Sequence, residues 1–233
     1  EYIYFARPDS LINGKCAYEY RKNLGIELAK EADVKADLVV PVPDSGVPAS
    51  LGYAEESGKQ FELGLIRNHY VGRTFIEPTQ NIRSLGVKLK LSSTKTIVKN
   101  KSIILIDDSL VRGTTCHKIV KMLYEAGAKE IHVRIACPEI KFPDFYGVDM
   151  PTKKELLAHE KSLDEMSNYI KAKSLKFLSI NGLYKALTGS IRNSNYPQFS
   201  DHYFTGDYPI KPYDNLHGYK VKQLSLLSGK SNN

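Results

Sequence analysis

The residues best suited to chemistry lie in one nine-residue stretch, from Asp107 to Thr115. Two adjacent acids open the stretch, and Gly113, Thr114 and Thr115 close it. A glycine lets the backbone approach a ligand closely, and the free N–H groups of a helix start, together with threonine hydroxyls, bind phosphate. The acids repel a phosphate but can hold sugar hydroxyls or a divalent cation a few ångströms away. One loop therefore offers a phosphate site and a polyol site, which together describe a ribose 5-phosphate.

Two other interpretations of this stretch compete with the first. The aspartates could simply end a strand, with Thr114 and Thr115 as helix caps, which accounts for the threonines but not for the paired acids and the glycine. The acids could also form the pocket of a phosphoacceptor receiver domain. The residues from Arg112 to Thr115 have no role in such a domain, which argues against it.

The elements around the loop predict how it is held. Residues 102–106 and 131–136 are short apolar runs typical of buried strands, and residues 116–126 between them have a helical apolar face. A strand, a helix and a second strand within about 35 residues require a parallel crossover. A helix at 17–31, a strand at 36–43, a helix at 47–57 and a strand at 61–66 precede this unit. The sequence therefore predicts an α/β fold with a mostly parallel, doubly wound sheet.

We expect one functional domain in three parts. Residues 1–35 form an N-terminal helical and turn segment that packs on the core, and residues 36–150 form the core. Residues 151–233 form C-terminal helices, at 151–159, 163–172 and 180–187, followed by an irregular tail. The tail is rich in Tyr, Asn, Ser and Pro and has no clear period.

The charge distribution points to a compact anion as ligand. The net formal charge is +7, and residues 67–101 hold eight Lys and Arg against a single acid, Glu77. A local excess of this kind favours a phosphorylated small molecule over nucleic acid, although a solvated basic loop accounts for it as well. A long polar segment interrupted by glycines is usually functional, so we expect a flexible loop here.

Composition excludes several classes of protein. A hydrophobic content of 42% and a charged content of 25% are those of a globular chain. No apolar run approaches the ~20 residues of a membrane helix, and the first residues lack the layout of a signal peptide. Three cysteines form no disulfide framework and no metal-ligand spacing, so we expect a reduced, cytoplasmic protein.

Several motifs resemble known proteins. The run IILIDDSLVRGTT at residues 103–115 resembles the phosphoribosyl pyrophosphate (PRPP) motif of the type I phosphoribosyltransferases. Three further runs resemble the glutamine PRPP amidotransferase family in particular: YFARPDS at 4–10, RNHYVGRTFI at 67–76 and YGVDM at 146–150. The similarity extends from about residue 2 to about residue 190. The first motif is specific to the superfamily, and YVGRTFI is specific to the family.

The resemblance implies a type I phosphoribosyltransferase fold with a flexible loop, residues 68–90, over the site. It also implies roles for individual residues. Tyr18 matches a tyrosine at the place where ammonia arrives, and with Arg73, Asp107 and Asp108 it forms the expected catalytic set. Ser45, Asp107 and Asp108 are the expected magnesium ligands. The expected PRPP-binding residues are Asp44, Ser45, Gly46, Tyr70, Arg73, Thr74, Lys88, Asp107, Asp108, Ser109, Val111, Arg112, Gly113, Thr114 and Thr115.

The implied reaction converts PRPP and ammonia to 5-phosphoribosylamine and pyrophosphate, the first step of de novo purine synthesis, with Mg²⁺ as cofactor. In the family, a glutaminase domain that begins with a catalytic cysteine supplies the ammonia from glutamine. We expect this chain to lack that domain, because Cys16 is internal. Some members hold a four-iron cluster with four cysteines. Asp144 stands near one of those positions here, and three scattered thiols argue against a cluster.

The expected partners are PRPP, ammonia, purine nucleotide inhibitors and further copies of the chain in a dimer or tetramer, with no nucleic acid and no membrane. Two other functions remain alternatives. A base-salvage phosphoribosyltransferase would need an aromatic base pocket, and the run at 67–76 argues against it. A PRPP-sensing regulator would need a helix-turn-helix or a second basic patch, whereas the charge outside residues 67–101 sums to zero.

Overall fold

The computed structural model describes residues 1–68, 91–147 and 152–210 of the chain. The strands are β1 (Leu11–Ile12), β2 (Lys15–Cys16), β3 (Leu38–Pro41), β4 (Gln60–Phe61), β5 (Leu65–Arg67), β6 (Leu91–Ser93), β7 (Ser102–Asp107), β8 (Glu130–Ile135) and β9 (Ser174–Phe177). The helices are α1 (Ala17–Ala32), α2 (Val47–Ser57), α3 (Lys95–Val98), α4 (Thr114–Glu125), α5 (Leu157–Glu160), α6 (Leu163–Ile170), α7 (Ile180–Thr188) and α8 (His202–Thr205), with a 3₁₀ turn at Lys153–Glu155.

A five-stranded sheet in the order β4-β3-β7-β8-β9 forms the centre of the molecule. Every pairing within it is parallel, with Val39 beside Ile104 and Ile104 beside His132. The predicted α/β fold with a mostly parallel sheet is therefore confirmed. The central strand β7 is the one that runs into the loop from Asp107 to Thr115.

Both faces of the sheet are buried, which explains the unbroken apolar runs in the sequence. Along β7, Ile103 and Leu105 pack with α4 on one face, and Ile104 and Ile106 pack with α1, α2 and α7 on the other. All four side chains are fully buried. A parallel strand covered by helices on both sides has no polar face to display.

Helices α1 and α2 lie backbone against backbone on one of these faces. A Cβ added to Gly25 would lie 1.8 Å from the carbonyl oxygen of Ala49, and one added to Gly52 would lie 1.9 Å from that of Lys22. Only glycine permits so close an approach. The contact holds the start of α2, and the loop before it, against α1.

The structure corrects the sequence-based element boundaries at three places. The expected strand at 61–66 is divided, because β4 joins the main sheet while β5 pairs antiparallel with β6 as a separate ribbon. The expected helix at 151–159 is realised, where it is described, as the 3₁₀ turn and the four-residue α5. Strand β9 was not expected at all, since its four residues include only two apolar ones. In the described part of the chain, no helix has the length and apolarity to cross a membrane.

Candidate functional site

Two loops meet at the carboxyl ends of the neighbouring strands β3 and β7. Pro41 lies beside Ile106 in the register, and just beyond it the backbone N–H of Val42 donates to the carbonyl of Ile106 at 2.8 Å. The loop at residues 44–46 therefore lies next to Asp107 and Asp108. Ligands of open parallel sheets bind at this edge.

The two aspartates are half-buried and held by their own loop. The backbone N–H of Asp108 donates to Asp107 Oδ1 at 2.9 Å, and the Ser109 hydroxyl donates to Asp108 Oδ1 at 2.7 Å. Burial, together with repulsion from Asp108, raises the pKa of the Asp107 carboxyl well above its ordinary value. Burial also raises the pKa of Asp108, although the hydroxyls of Ser109 and Ser45 and the charge of Arg21 each lower it. The Ser45 hydroxyl lies near both carboxyls and lowers the pKa of each against the effect of burial.

The 44–46 loop is packed tightly against the end of β7. A Cβ on Gly46 would lie 2.5 Å from the carbonyl oxygen of Ile106, so no larger residue fits there. Asp44 and Ser45 are exposed, and Asp44 forms an ion pair with Arg67. The peptide bond between Pro43 and Asp44 is cis. The loop thus presents two polar side chains beside the aspartate pair.

The second half of the Asp107–Thr115 stretch ends in an open helix start. Gly113 has φ of +73° and precedes α4, and no side chain caps the helix. In the described structure the backbone N–H groups of Thr114, Thr115 and Cys116 donate to no other residue, and the first helical bond comes from His117 to the Gly113 carbonyl at 2.9 Å. The hydroxyl-bearing residues Thr114 and Thr115 are exposed. A cleft of about 240 Å³ lies here, lined by Asp107, Ser109, Leu110, Val111, Arg112, Gly113, Thr114, Thr115 and Cys116.

Residues of the C-terminal elements pack against the loop at residues 111–113. The sequence did not indicate this support. The backbone N–H of Leu157 donates to the carbonyl of Val111 at 2.9 Å, and Arg112 pairs with Glu155 at 3.3 Å. A Cβ on Gly113 would lie 2.7 Å from Leu157 Cδ2 and 3.1 Å from Tyr169 Cε1. The loop is therefore closed on one side and open on the side that faces the cleft.

Arg21 is a further charged residue near the aspartates that sequence analysis missed. It lies on the buried face of α1 with Leu24 and Leu28, only 4% exposed. It borders a narrow crevice together with Ser45 and Asp108. The available signal was its position on the apolar stripe of that helix, where a charged residue is costly unless it has partners.

Other expected residues line neither the cleft nor the crevice, or lie outside the described residues. Tyr18 lies in the first turn of α1, 37% exposed, and no hydrogen bond joins its side chain to another described residue. Tyr70, Arg73, Thr74 and Lys88, and with them most of the expected flexible loop, lie outside the described residues. Cys116 is buried, and burial raises the pKa of its thiol.

Asp144 and His202 form a buried pair that lines neither the cleft nor the crevice at the aspartates. Their side chains are 0% and 1% exposed, and His202 Nε2 lies 2.7 Å from Asp144 Oδ1. The ring of Tyr203 lies beside that of His202, with 4.0 Å between centroids. This pair joins the segment after β8 to helix α8, so we assign it to packing.

The polar cleft suits an anionic sugar better than a second, apolar cavity does. That cavity, of about 340 Å³, lies between the N-terminal segment and α7, and its lining is largely apolar, with Phe5, Leu183 and Phe199 among its residues. Across the described ranges, no group of three or more His, Cys, Asp or Glu side chains could hold a metal ion. A cation at Asp107 and Asp108 would therefore complete its coordination with ligand oxygens or water.

Comparison with known proteins gives consistent matches. Residues 15–171 match the model of the phosphoribosyl transferase domain family. The chain is 58% identical over 229 residues to the amidophosphoribosyltransferase of Rhizobium etli, covering 98% of this chain and 46% of that protein. It is 52% identical over 221 residues to the amidophosphoribosyltransferase of Staphylococcus aureus, covering 95% of this chain and 44% of that protein.

A solved structure agrees with these matches. Glutamine phosphoribosylpyrophosphate (PRPP) amidotransferase from B. subtilis, complexed with ADP and GMP, is 49% identical, with a TM-score of 0.83. The similarity covers 92% of this chain and 47% of that one. The chain spans about half the length of the curated relatives it matches.

Proposed function

Because the chain belongs to the phosphoribosyl transferase family, we propose that it transfers the 5-phosphoribosyl group of PRPP to ammonia, the first step of de novo purine synthesis. The products are 5-phosphoribosylamine and pyrophosphate. The expected type I phosphoribosyltransferase fold is confirmed by the family match and by the parallel sheet. The nitrogen acceptor is inferred from relatives that are 52–58% identical and named amidophosphoribosyltransferase.

One observation carries the proposal. A single loop places the Asp107 carboxylate and an uncapped helix N-terminus on the same cleft, with the Asp108 carboxylate on the next residue. The free N–H groups of Thr114, Thr115 and Cys116 supply donors for the 5-phosphate, helped by the positive end of the α4 dipole. Asp107 and Asp108 accept hydrogen bonds from the ribose hydroxyls. A ribose 5-phosphate satisfies both halves of the loop at once.

We assign the pyrophosphate to the loop at residues 44–46, which lies beside the carboxylates. Ser45 and the backbone around Gly46 offer donors to its oxygens. Arg73, Thr74, Tyr70 and Lys88, from outside the described residues, remain the proposed residues that close over it. Positive charge there would stabilise the negative charge that develops on the leaving pyrophosphate.

The donor set fits a magnesium ion. Asp107, Asp108 and Ser45 supply two carboxylates and a hydroxyl, which are the oxygen ligands that Mg²⁺ prefers. The raised pKa values of both aspartates indicate that the protein alone compensates their ionised forms only in part. Bound there, Mg²⁺ would neutralise charge on the aspartates and on the phosphate oxygens.

The proposed step needs no protein nucleophile. The nitrogen lone pair of ammonia forms a bond to C1 of the ribose as the bond from C1 to the pyrophosphate oxygen breaks. The ammonium group that results gives one proton to solvent. The chain's residues bind both ends of PRPP and hold C1 open to attack. We propose that Tyr18 borders the side from which ammonia arrives. We also propose that purine nucleotides inhibit the enzyme. Copies of the chain are proposed to associate with one another in the cytoplasm.

The test is pyrophosphate release from PRPP with ammonium chloride, with Mg²⁺ and after its removal by chelation. We expect pyrophosphate release to require both ammonium chloride and Mg²⁺. In Asp108→Asn the rate of release should fall about 100-fold or more. Asp164→Asn, a change at an exposed acid of α6, is the matched control and keeps full activity. Release that depends on a purine base and not on ammonia would replace this proposal with base salvage.

A further inference from the structure

Arg21 is a buried cation held by the backbone of the N-terminal segment. Its Nη2 donates to the carbonyl of Ala6 at 2.6 Å and to that of Glu1 at 3.4 Å, and its Nε donates to the carbonyl of Tyr2 at 3.2 Å. These carbonyl groups carry no full charge. The guanidinium charge is therefore only partly compensated by its hydrogen-bond partners.

Asp108 supplies the opposite charge. Arg21, Ser45 and Asp108 border the same narrow crevice, with Leu24 and Ala49 forming its apolar part. Burial lowers the pKa of Arg21, and the nearby Asp108 carboxylate opposes that effect. Arg21 in turn lowers the pKa of Asp108 against the effect of burial. The two charges interact without a direct ion pair at 4.0 Å or less, since none joins them in the described residues.

Four parts of the fold meet at this arginine. Helix α1 carries it, the N-terminal segment supplies its carbonyl partners, and the 44–46 loop and the β7 loop border its crevice. Asp108 itself accepts a hydrogen bond from the Ser109 hydroxyl at 2.7 Å. Asp108 borders this crevice and does not line the cleft that ends at α4.

We propose that Arg21 is a positioning residue that holds the Asp108 carboxylate for the ribose of PRPP and ties the N-terminal segment to the site. The inference rests on the proposed function. The guanidinium group suits both tasks, because its planar fork donates to several carbonyls while its delocalised charge acts on the nearby carboxylate. Lysine could supply the charge but could not reproduce the set of carbonyl bonds.

The test compares Arg21→Met, Arg21→Lys and the control Lys22→Met. Lys22 is the next residue of α1 and pairs at the surface with Glu55, so its loss removes a cation from the same helix without touching the crevice. For each protein, the measurements are KM and kcat, calorimetric binding of PRPP with Mg²⁺, the melting temperature, and amide exchange of residues 2–7.

We expect Arg21→Met to raise KM for PRPP about 10-fold or more with a smaller change in kcat. The reason is that the ribose is bound less tightly in the ground state and in the transition state alike. Arg21→Lys should bring KM back to within about 3-fold of the unmodified chain. Amide exchange of residues 2–7 should be faster in both variants than in the unmodified chain, because neither side chain reproduces the set of carbonyl bonds. Lys22→Met should match the unmodified chain throughout.

A folded Arg21→Met protein with unchanged KM would overturn the inference and leave Arg21 a structural anchor. Equal KM defects in the Met and Lys variants would also overturn it, because charge would then have no part. If Arg21→Met does not fold, Arg21→Gln, which keeps an NH₂ donor and loses the charge, gives the same comparison. Failure of the unmodified chain to bind PRPP would instead refute the proposed function, and this inference with it.

Discussion

The backbone N–H of Asp108 donates to the carboxyl Oδ1 of Asp107 at 2.9 Å, so the first acid of the pair is anchored by the second. This bond turns the Asp107 side chain back onto its own loop. It leaves two half-buried carboxyls side by side, and their repulsion together with burial raises the pKa of Asp107. Such an arrangement is costly for folding and is retained where a ligand uses it.

Asp107→Asn should therefore stabilise the ligand-free chain while abolishing PRPP turnover. A carboxyl whose pKa is raised on folding contributes stability below its unfolded pKa, and this is lost as the pH rises through the folded value. Asparagine can accept the same backbone bond and carries no charge. We expect a gain of about 1 kcal/mol at pH 7, or roughly 2–4 °C in melting temperature, and no gain at about pH 3.

Thermal unfolding at the two pH values checks this prediction. Asp37→Asn is the control, since Asp37 accepts a hydrogen bond from the backbone N–H of Ser102 at 2.8 Å and lies at the other end of the sheet. That variant should gain nothing at neutral pH. A melting temperature for Asp107→Asn below that of the unmodified chain at pH 7 would show the carboxylate to be structural.

Gly113→Ala should damage the phosphate loop more than a comparable change elsewhere. Gly113 and Gly58 both have positive φ, +73° and +66°, but an added Cβ meets Leu157 and Tyr169 at Gly113 and nothing within 4 Å at Gly58. Both substitutions carry a conformational cost of about 1 kcal/mol. Gly113→Ala should cost roughly 1–3 kcal/mol more from overpacking and should weaken binding of ribose 5-phosphate.

Denaturant unfolding of the two alanine variants measures the difference directly. Equal losses would mean that Leu157 and Tyr169 yield without cost. In that case the C-terminal elements would not fix the shape of the loop.

Arg192→Met should be among the most destabilising substitutions in the C-terminal segment, because it removes one partner of a buried ion pair. Arg192 and Asp201 form an ion pair at 2.6 Å with side chains 10% and 3% exposed. Burial alone raises the pKa of Asp201, but hydrogen bonds from Arg192, Tyr184 and Thr205 outweigh it and bring the pKa below the ordinary value. Removing the arginine leaves a buried carboxylate without its cation, which costs about 3 kcal/mol.

The control for this variant is Arg7→Met, since Arg7 pairs with Asp9 where the side chains are 82% and 69% exposed. Its loss should change the free energy of unfolding by less than about 1 kcal/mol. Because the pKa of Asp201 is lowered on folding, the Arg192 contribution is present above the unfolded pKa and is lost as the pH falls. A constant difference between Arg192→Met and the unmodified chain down to about pH 2 would contradict this account.

The sequence predicted well those parts of the fold in which apolar pattern and turn residues coincide. Strand β7 and helix α4 lie within two residues of their expected bounds, because both faces of β7 are buried and α4 has a single apolar stripe. Residues 44–46 were expected beside Asp107 from the family resemblance alone, and the structure brings the two loops together because β3 and β7 are neighbouring parallel strands that end at the same edge.

The features that sequence analysis missed depend on contacts between distant parts of the chain. Strand β9 is a strand because it pairs with β8, although only Leu175 of its residues is fully buried. The support of Gly113 by Leu157 and Tyr169 joins positions more than forty residues apart. Arg21 acquires its partners only when the N-terminal segment folds back over α1. No periodicity within a single element records such contacts.

The most direct test of the central claim is amide mapping of the chain by ¹H–¹⁵N NMR, with ribose 5-phosphate and then with PRPP and Mg²⁺. The account predicts saturable shifts of the Gly113, Thr114, Thr115 and Cys116 amides with ribose 5-phosphate and none with ribose. PRPP and Mg²⁺ should add shifts at Ser45 and Asp108. Saturable binding that leaves these amides unmoved and shifts those around the apolar cavity of Phe5, Leu183 and Phe199 would contradict it.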